Sequence, residues 1–414
     1  MRRMMRAISL LGVAAALVVL VGLGQAEPAS EDEILGFHAE GVTGEKRIIV
    51  LFVDFPGTTR EYPVEMISDR ILKLVGTYFY AASYNTMWFR GEVAGPYVLP
   101  YPVEHYRISS HNLEVDDTRV ISLVQDALAL ADPDVVFAPD AYVVLALGAR
   151  HEAYGMIGLC AIPGMLGWSS SMVIRNRSGE EVRTAAIFCE NAHLGTYVHD
   201  ITHMLGGVSE GQRLTPCLYD HDCQAMYEGP DAWANCLFNM GYWDPLSSHF
   251  PYDMQLPPAG LSSWTRMRLG WIDPSKIAYV RPGETTTVRL DPLTDQASTT
   301  VVIKIPLSDD TYYLVENRQP IKSDANLPSS GVLVLHCDDT VSECRQGAAP
   351  VRIQDANPTA PYFLDAAFDL GKARVFVDAA RNVAIVLLEK VDQSYDILVT
   401  TAILAPEGTP GSGG

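Results

Sequence analysis

The chain has 414 residues, of which 48% are hydrophobic, and it carries a formal net charge of −20 at pH 7. A chain of this length exceeds the size that one hydrophobic core normally organises, so we expect two domains. The strong negative charge excludes nucleic acid as an expected partner, because a negative surface repels phosphates.

The first 26 residues have the layout of a secretory signal peptide. Arginines in "MRRMMR" precede the apolar run "AISLLGVAAALVVLVGLG" and the small residues of "GQA". Cleavage after Ala26 removes three arginines and no acid, so the charge of the mature chain becomes −23. We therefore expect a secreted, extracellular protein with no stable membrane association after cleavage. The excess of carboxylates would also suit bound calcium, although no Asp-rich loop has EF-hand spacing.

A mixed α/β layer is predicted after a lead segment over residues 27–45. The continuous apolar run in "KRIIVLFVDFPG" is typical of a strand buried on both faces. Apolar residues at helical spacing predict a helix over 64–80, and "MWFRGEVAGPYVLP" then predicts a pair of strands broken by glycine. A helix over 118–132 and a second buried strand in "DAYVVLALGA" complete the alternation.

The second half of the chain changes from helical to strand-like patterns. A helix over about 194–205 precedes a loop-rich stretch, and "GLSSWTRMRLGWIDP" predicts a further helix capped by Ser262 or Ser263. Beyond Pro274, short alternating runs such as "TTVVIKIPL" and "GVLVLHCDD" predict a β-sandwich-like domain. The expected fold class is thus α+β, with domains over 46–274 and 275–403 and a disordered tail over 404–414.

Seven cysteines in an exported chain favour disulfide bonds over free thiols. Short loop lengths suggest the pairs Cys217–Cys223 and Cys337–Cys344. The odd number leaves one cysteine unpaired, and the absence of a CxxC pair argues against a cysteine zinc site.

The segment "YVHDITHMLGG" contains the best candidate for a metal site. His199 and His203 are four residues apart, so on a helix both imidazoles lie on one face and can bind one ion. A catalytic zinc takes three protein ligands and lowers the pKa of a water molecule, whose proton an adjacent carboxylate accepts. Asp200 stands at the position for that general base. It is one methylene shorter than glutamate, which places its carboxylate about 1 to 1.5 Å farther back.

Several segments in the same order resemble the immune inhibitor A family of secreted zinc metallopeptidases. They are "IIVLFVDFPG", "YFYAASYNTMWFRGEVAGPYVLP", "ALALADPDVVF", the H-x-x-x-H-x-x-G helix, "GYWDPLSS", "GLSSWTRMRLGWI" and "YYLVENRQP" followed by "GVLVLHCDD". The resemblance covers nearly all of the mature chain. It implies a metzincin-like zinc peptidase domain followed by a β-rich domain, with His199 and His203 as zinc ligands and Asp200 in place of the usual glutamate.

The resemblance leaves the third metal ligand open. Where the family continues with an acid three residues after the glycine, this chain has Ser209, and Glu210 follows one place late. A second alignment treats residues 208–216 as an insertion, sets Cys217 at the usual acid and offers Asp220 as the nearest carboxylate. His221 is a further alternative. Leu246 occupies a place usually held by methionine, and leucine supplies the same apolar volume beneath the metal.

The sequence therefore predicts a secreted zinc-dependent endopeptidase that cleaves polypeptides bound as an extended backbone along a sheet edge. In that hypothesis His199, His203 and a loop carboxylate hold zinc, and Asp200 activates water. The alternative is a catalytically impaired pseudopeptidase that serves as an extracellular binding or structural protein. Composition does not separate the two.

Overall fold

The computed structural model describes residues 29–39, 41–108, 115–169, 172–226, 233–253 and 256–401. The expected signal segment and the C-terminal tail lie outside the described residues. From Glu31 onward the described chain forms one compact unit. Within these ranges, no helix has the length and apolarity needed to cross a membrane.

The structure combines helices and sheets, which confirms the α+β class. The α-helices are α1 (Glu31–Leu35), α2 (Val64–Asp69), α3 (Gly76–Ala82), α4 (Val103–Tyr106), α5 (Asp117–Ala131), α6 (His151–Tyr154), α7 (Leu194–Gly206), α8 (His221–Met226) and α9 (Ser263–Arg268). A π-helical segment, Arg70–Val75, joins α2 to α3. Single 3₁₀ turns occur at Trp233–Cys236, Pro274–Lys276, Lys322–Asp324 and Pro361–Phe363.

The strands fall into two groups along the chain. The first group is β1 (Gly44–Asp54), β2 (Met87–Val98), β3 (Tyr142–Leu147), β4 (Gly158–Ile162), β5 (Ile174–Arg175), β6 (Glu181–Val182), β7 (Ala185–Cys189), β8 (Val208–Ser209) and β9 (Gln212–Arg213). The second group is β10 (Ile277–Tyr279), β11 (Thr285–Leu290), β12 (Val302–Pro306), β13 (Thr311–Arg318), β14 (Gly331–Asp338), β15 (Val351–Ile353), β16 (Val375–Asp378), β17 (Val383–Val391) and β18 (Ser394–Thr400).

The first half of the chain is built on a five-stranded sheet of order β2-β1-β3-β7-β4. The first four strands are parallel, and β4 pairs antiparallel with β7 at the edge. Alternate residues of β1 enter different cores: Ile49 and Leu51 pack with α5, whereas Ile48 and Val50 pack with α2, α3 and α7. The continuous apolar run thus reflects a strand covered by helices on both faces, as predicted.

The strand pair predicted from "MWFRGEVAGPYVLP" is wrong, because residues 87–98 form the single strand β2 alongside β1. Its glycines do not mark a turn between two strands. A Cβ at Gly91 would lie 2.5 Å from Leu72 Cδ1, so this glycine allows the preceding helix to pack closely on the strand.

Helix α7 carries the histidine motif and lies against the sheet. Tyr197, Val198 and Ile201 are fully buried in the same core as Phe188 of β7. The helix ends at Gly206, and Gly207 follows with a φ of +63°, a left-handed value that favours glycine. These bounds match the prediction.

The second half of the chain is the predicted β-sandwich. Its two sheets have the orders β10-β12-β13-β14-β15 and β11-β18-β17-β16. Ile303 and Val315 of the first sheet share one core with Ile385 and Ile397 of the second. The two sheets therefore pack face to face.

The two halves also share a core. Trp243 and Trp264 from the first half pack with Leu314 and Leu333 of the sandwich. Arg318 of β13 is fully buried and donates hydrogen bonds across this boundary, at 3.0 Å to the carbonyl of Trp243. The sandwich thereby fixes the segment that follows α8 and leads towards α9.

Candidate metal centre

Three side chains converge at the end of α7. His199, His203 and Cys217 each offer one donor atom, and these atoms all lie within 4.8 Å of one another. The two Nε2 atoms are 2.9 Å apart, and Cys217 Sγ lies 3.6 Å from His199 Nε2 and 3.4 Å from His203 Nε2.

These separations fit a single metal ion bound by all three donors. Zinc bonds of about 2.0–2.1 Å to nitrogen and 2.3 Å to sulfur, at tetrahedral angles, place nitrogen and sulfur about 3.5 Å apart and two nitrogens about 3.3 Å apart. The observed sulfur distances agree with this value, and the shorter nitrogen distance corresponds to a narrower angle between the two imidazoles. The group can therefore hold a metal ion without a large rearrangement.

Backbone carbonyls orient both imidazoles so that Nε2 faces the cluster. His199 Nδ1 is 2.8 Å from the carbonyl oxygen of Pro245, and His203 Nδ1 is 2.5 Å from that of Thr215. A carbonyl accepts but does not donate, so Nδ1 carries the proton and Nε2 keeps its lone pair. This is the usual outer support of a metal-binding histidine.

The hairpin β8–β9 brings Cys217 to the site. It follows α7 directly and turns the chain back, so that Thr215 packs against the helix end. Thr215 Oγ1 donates to the carbonyl of Thr202 at 3.0 Å. A Cβ at Gly206 would lie 2.3 Å from Thr215 Oγ1, which explains why a glycine stands in the last helical position.

Asp244 fixes the segment "WDPLSS", which supplies the carbonyl of Pro245. The buried Asp244 carboxylate accepts hydrogen bonds from the N–H of Ser262 at 2.8 Å and from Thr265 Oγ1 at 2.7 Å. Leu246 is fully buried, and its carbonyl accepts from the N–H of Leu218 at 2.8 Å. Helix α9 thus supports both the His199 acceptor and the irregular segment that carries Cys217.

Burial sets the protonation of the donors in the metal-free chain. His199 and His203 are each 2% exposed and Cys217 is 4% exposed. Desolvation lowers the pKa of both imidazoles well below the usual range and raises the pKa of the Cys217 thiol to about 11. The imidazoles are therefore ready to bind a cation, whereas the thiol must first lose its proton.

An ion pair with a buried arginine lies beside the centre. Arg213 of β9 binds Glu343 of the sandwich through two hydrogen bonds, of 2.8 Å and 2.5 Å, and its guanidinium stacks 5.2 Å from the ring centre of Trp168. The positive charge of Arg213 contributes to lowering the pKa of His203. The pair also ties the metal-site hairpin to a loop of the second half.

Asp200 points from α7 towards the edge strand β4. It is 4% exposed, and its carboxyl group accepts a hydrogen bond from the backbone N–H of Cys160. Its other oxygen, Oδ2, is buried without a hydrogen-bond partner and lies 3.2 Å from the position of a Cβ at Gly158. Desolvation raises the pKa of Asp200 well above its ordinary value.

Hydrogen bonds from a following turn of the same chain occupy part of the outer edge of β4. The carbonyls of Cys160 and Ala161 accept hydrogen bonds from the N–H groups of Met165 and Leu166, at 2.9 Å and 3.0 Å. A polypeptide strand could not pair with these two carbonyls while that turn is in place. The expected docking along a sheet edge therefore needs other contacts or a movement of residues 163–167.

A third histidine, His249, lies against His199 and was not predicted from the sequence. Its ring centre is 3.8 Å from that of His199 and 6.0 Å from that of Tyr219. Its Nε2 is buried without a hydrogen-bond partner. The position of His249 just after "WDPLSS" was the only signal available in the sequence.

The structure brings together His199 and His203, as expected, but the predicted third ligands lie elsewhere. Glu210 is exposed at the turn of the β8–β9 hairpin, with a φ of +52°. The Asp220 carboxylate accepts from the N–H groups of Cys223 and Gly347, each at 2.8 Å. The ring of His221, the further alternative, packs 4.9 Å from that of Tyr219. Among the described residues, Cys217 takes the third place instead.

The cysteines do not form the disulfides expected from loop length. Within the described ranges no two sulfurs are at disulfide distance, and Cys217 faces the two imidazoles rather than Cys223. Loop length alone was a poor guide because it ignores the direction in which each thiol points.

Two comparisons with known proteins found no match. No protein-family model matches the chain, and no curated protein matches it. The resemblance to the immune inhibitor A family thus stays a prediction.

Proposed function

We propose that this protein is a secreted zinc-dependent endopeptidase whose metal is held by His199, His203 and Cys217. The supporting observation is the convergence of three donor atoms at near-tetrahedral spacing, and the buried carboxyl group of Asp200 directly follows the first of them along α7. Imidazole and thiolate donors together favour zinc among the abundant divalent metals, whereas calcium and magnesium prefer oxygen ligands. Three protein ligands leave one position for chemistry.

In this proposal the chain positions the reactants and moves one proton. Bound zinc would supply the Lewis acidity that makes water a nucleophile near neutral pH. The carbonyls of Pro245 and Thr215 hold the two imidazoles in place. Asp200 accepts the proton of the attacking water at Oδ2 and then donates it to the amine that leaves. A Cβ at Gly158 would lie 2.7 Å from Thr196 Cγ2, so the glycine allows β4 to pack closely on α7 beside Asp200.

A second candidate function is favoured by the state of Asp200. Its carboxyl group is already hydrogen-bonded to the backbone of Cys160, and the whole centre is almost fully buried. A closed three-ligand site of this kind would also suit a pseudopeptidase, in which the metal stabilises an extracellular binding or structural protein. In that case Asp200 orients the edge strand and does no chemistry.

Metal content and proteolysis distinguish these functions. Chain 27–414 would be purified, its zinc measured by mass spectrometry, and its cleavage of unfolded casein followed with and without a chelator. We expect one zinc per chain and chelator-sensitive cleavage. Cys217→Ala should lose both, whereas Cys189→Ala, which removes a buried thiol from the core beneath the sheet, should retain them.

The remaining outcomes decide between the proposals. Stoichiometric zinc without cleavage would reject the endopeptidase and support the binding protein. A wild-type chain that takes up no zinc, or a Cys217→Ala variant that binds zinc as tightly as wild type, would reject the proposed centre.

A further inference from the structure

Three cysteines follow α7 within one loop-rich segment, and the structure separates their roles. Cys217 contacts the two imidazoles. Cys223 lies on α8, and Cys236 ends the 3₁₀ turn Trp233–Cys236. The thiols of Cys223 and Cys236 are hydrogen-bonded to each other. The segment therefore contains one thiol at the metal centre and one adjacent pair.

Backbone contacts hold Cys223 and Cys236 close to each other. The N–H of Asp220 donates to the carbonyl of Cys236 at 3.3 Å, and the N–H of Cys223 donates to Asp220 Oδ1 at 2.8 Å. Cys223 Sγ also lies 3.7 Å from the carbonyl oxygen of Asn235. Both cysteines are buried. Asp220 thus joins the two short helical turns and fixes the side chains that face each other.

The cysteines in the first sheet are engaged elsewhere. Cys160 Sγ is 3.3 Å from the carbonyl oxygen of Pro163, and Cys189 Sγ is 3.1 Å from that of Met156. Each thiol thus points to a backbone group of its own region.

We propose that Cys223 and Cys236 form a disulfide when the protein matures in an oxidising compartment, and that this bond reserves Cys217 for the metal. Two S–H bonds break and one S–S bond forms, with two electrons and two protons passing to a disulfide oxidant such as oxidised glutathione. The two thiols would have to move together to the bond length of about 2.05 Å. The pairing replaces the Cys217–Cys223 bond that loop length suggested.

The pairing has a consequence for assembly of the metal centre. Cys217 precedes Cys223 by six residues, so the two thiols can pair while the chain is unfolded. A Cys217–Cys223 bond would remove the third ligand, so zinc binding and correct pairing favour each other. Formation of the Cys223–Cys236 bond does not itself require that the protein be an enzyme.

Peptide mapping tests this pairing. Metal-free chain 27–414 would be unfolded and reduced, then refolded with oxidised and reduced glutathione in the presence of zinc, unfolded again and alkylated without reduction. After proteolysis we expect a cross-linked peptide pair containing Cys223 and Cys236, lighter than the separate peptides by two hydrogen atoms. Cys217 should carry the alkyl group. In the folded protein, zinc should slow alkylation of Cys217 at least tenfold relative to the chelated protein.

Two variants make the test specific. Cys223→Ser should leave Cys236 open to alkylation, whereas Cys189→Ser should leave the cross-link unchanged. Alkylation of both Cys223 and Cys236 in the refolded wild type, or a bond from Cys223 to Cys217, would overturn the proposal. Zinc content is measured on the same samples. A Cys223–Cys236 bond in a chain without zinc would support the pairing while rejecting the proposed metal function.

Discussion

Replacing Asp200 by glutamate tests whether this carboxyl group is the base of the proposed reaction. In the structure one oxygen of Asp200 accepts a hydrogen bond from the N–H of Cys160, and Oδ2 is buried without a partner. Glutamate keeps the charge and extends the side chain by one methylene group. Its carboxyl group would reach about 1 to 1.5 Å farther from the helix backbone, which is the reach that the resemblance to zinc peptidases implies for the base.

The size of the effect follows from the displacement. A misplacement of about 1 Å costs on the order of 10²-fold in rate, so Asp200→Glu should raise kcat/KM by up to about 10²-fold. This corresponds to about 2.7 kcal/mol of transition-state stabilisation. A correctly placed general base contributes about 10²–10⁴-fold, so Asp200→Ala should fall below wild type by up to about 10²-fold. The expected order of activity is glutamate, aspartate, alanine.

The assay is kcat/KM for an internally quenched peptide, measured on samples with equal zinc content. Asp309→Glu is the matched control, because it makes the same change at an exposed position of the sandwich, and it should equal wild type. Equal activity in Asp200→Ala and wild type would refute the assignment of Asp200 as base. Cleavage that appears only in Asp200→Glu would show that the natural chain is a pseudopeptidase whose metal site is intact.

Further predictions concern the surroundings of the metal. Gly206→Ala should weaken zinc binding about 10- to 100-fold, because the new Cβ would displace Thr215, whose carbonyl orients a ligand, and competition with a fluorescent chelator would measure it. The same assay should show zinc affinity rising about tenfold per pH unit between roughly pH 6 and 9. The reason is that burial raises the pKa of the Cys217 thiol to about 11, so the thiol stays protonated until zinc displaces the proton. A zinc affinity that does not change with pH would exclude a thiolate ligand. Glu343→Gln should lower the free energy of unfolding by about 3 kcal/mol in urea titrations, because it leaves the buried Arg213 charge without its partner, whereas a change below 0.5 kcal/mol would contradict that role.

Sequence patterns predicted the elements whose environment is encoded locally. The apolar run of β1 and the helical spacing of α7 are visible within a dozen residues, and both elements are present. The prediction of a turn at the glycines of β2 was wrong because the sequence does not distinguish a glycine in a turn from a glycine that allows a neighbouring element to pack closely. Only the contact between Gly91 and Leu72, from another element, decides between the two.

The site was predictable to the extent that its residues share one helix. His199 and His203 are fixed by the geometry of a single turn. Their third partner is reached only after a hairpin that carries Glu210, the nearer acid, outward and returns the chain at Cys217. Residue type also misled the prediction of the third ligand, because a cysteine in an exported chain suggests a disulfide. The local sequence does not determine the direction in which the hairpin turns or the direction in which the thiol points.

With Cys217 as third ligand, the proposed centre has the same charge as it would have with the loop acid that the sequence predicted. A thiolate and a carboxylate both carry one negative charge when they bind zinc. The centre would therefore remain a net cation beside Asp200. In the metal-free chain, burial raises the pKa of Asp200 by more than the hydrogen bond from Cys160 and the charge of Arg213 lower it, so the carboxyl group favours its protonated form. A neighbouring cation opposes that shift and favours the carboxylate. Metal loading and the basicity of Asp200 are thus coupled, and Asp200 would become a base only in the chain that has the metal to make use of it.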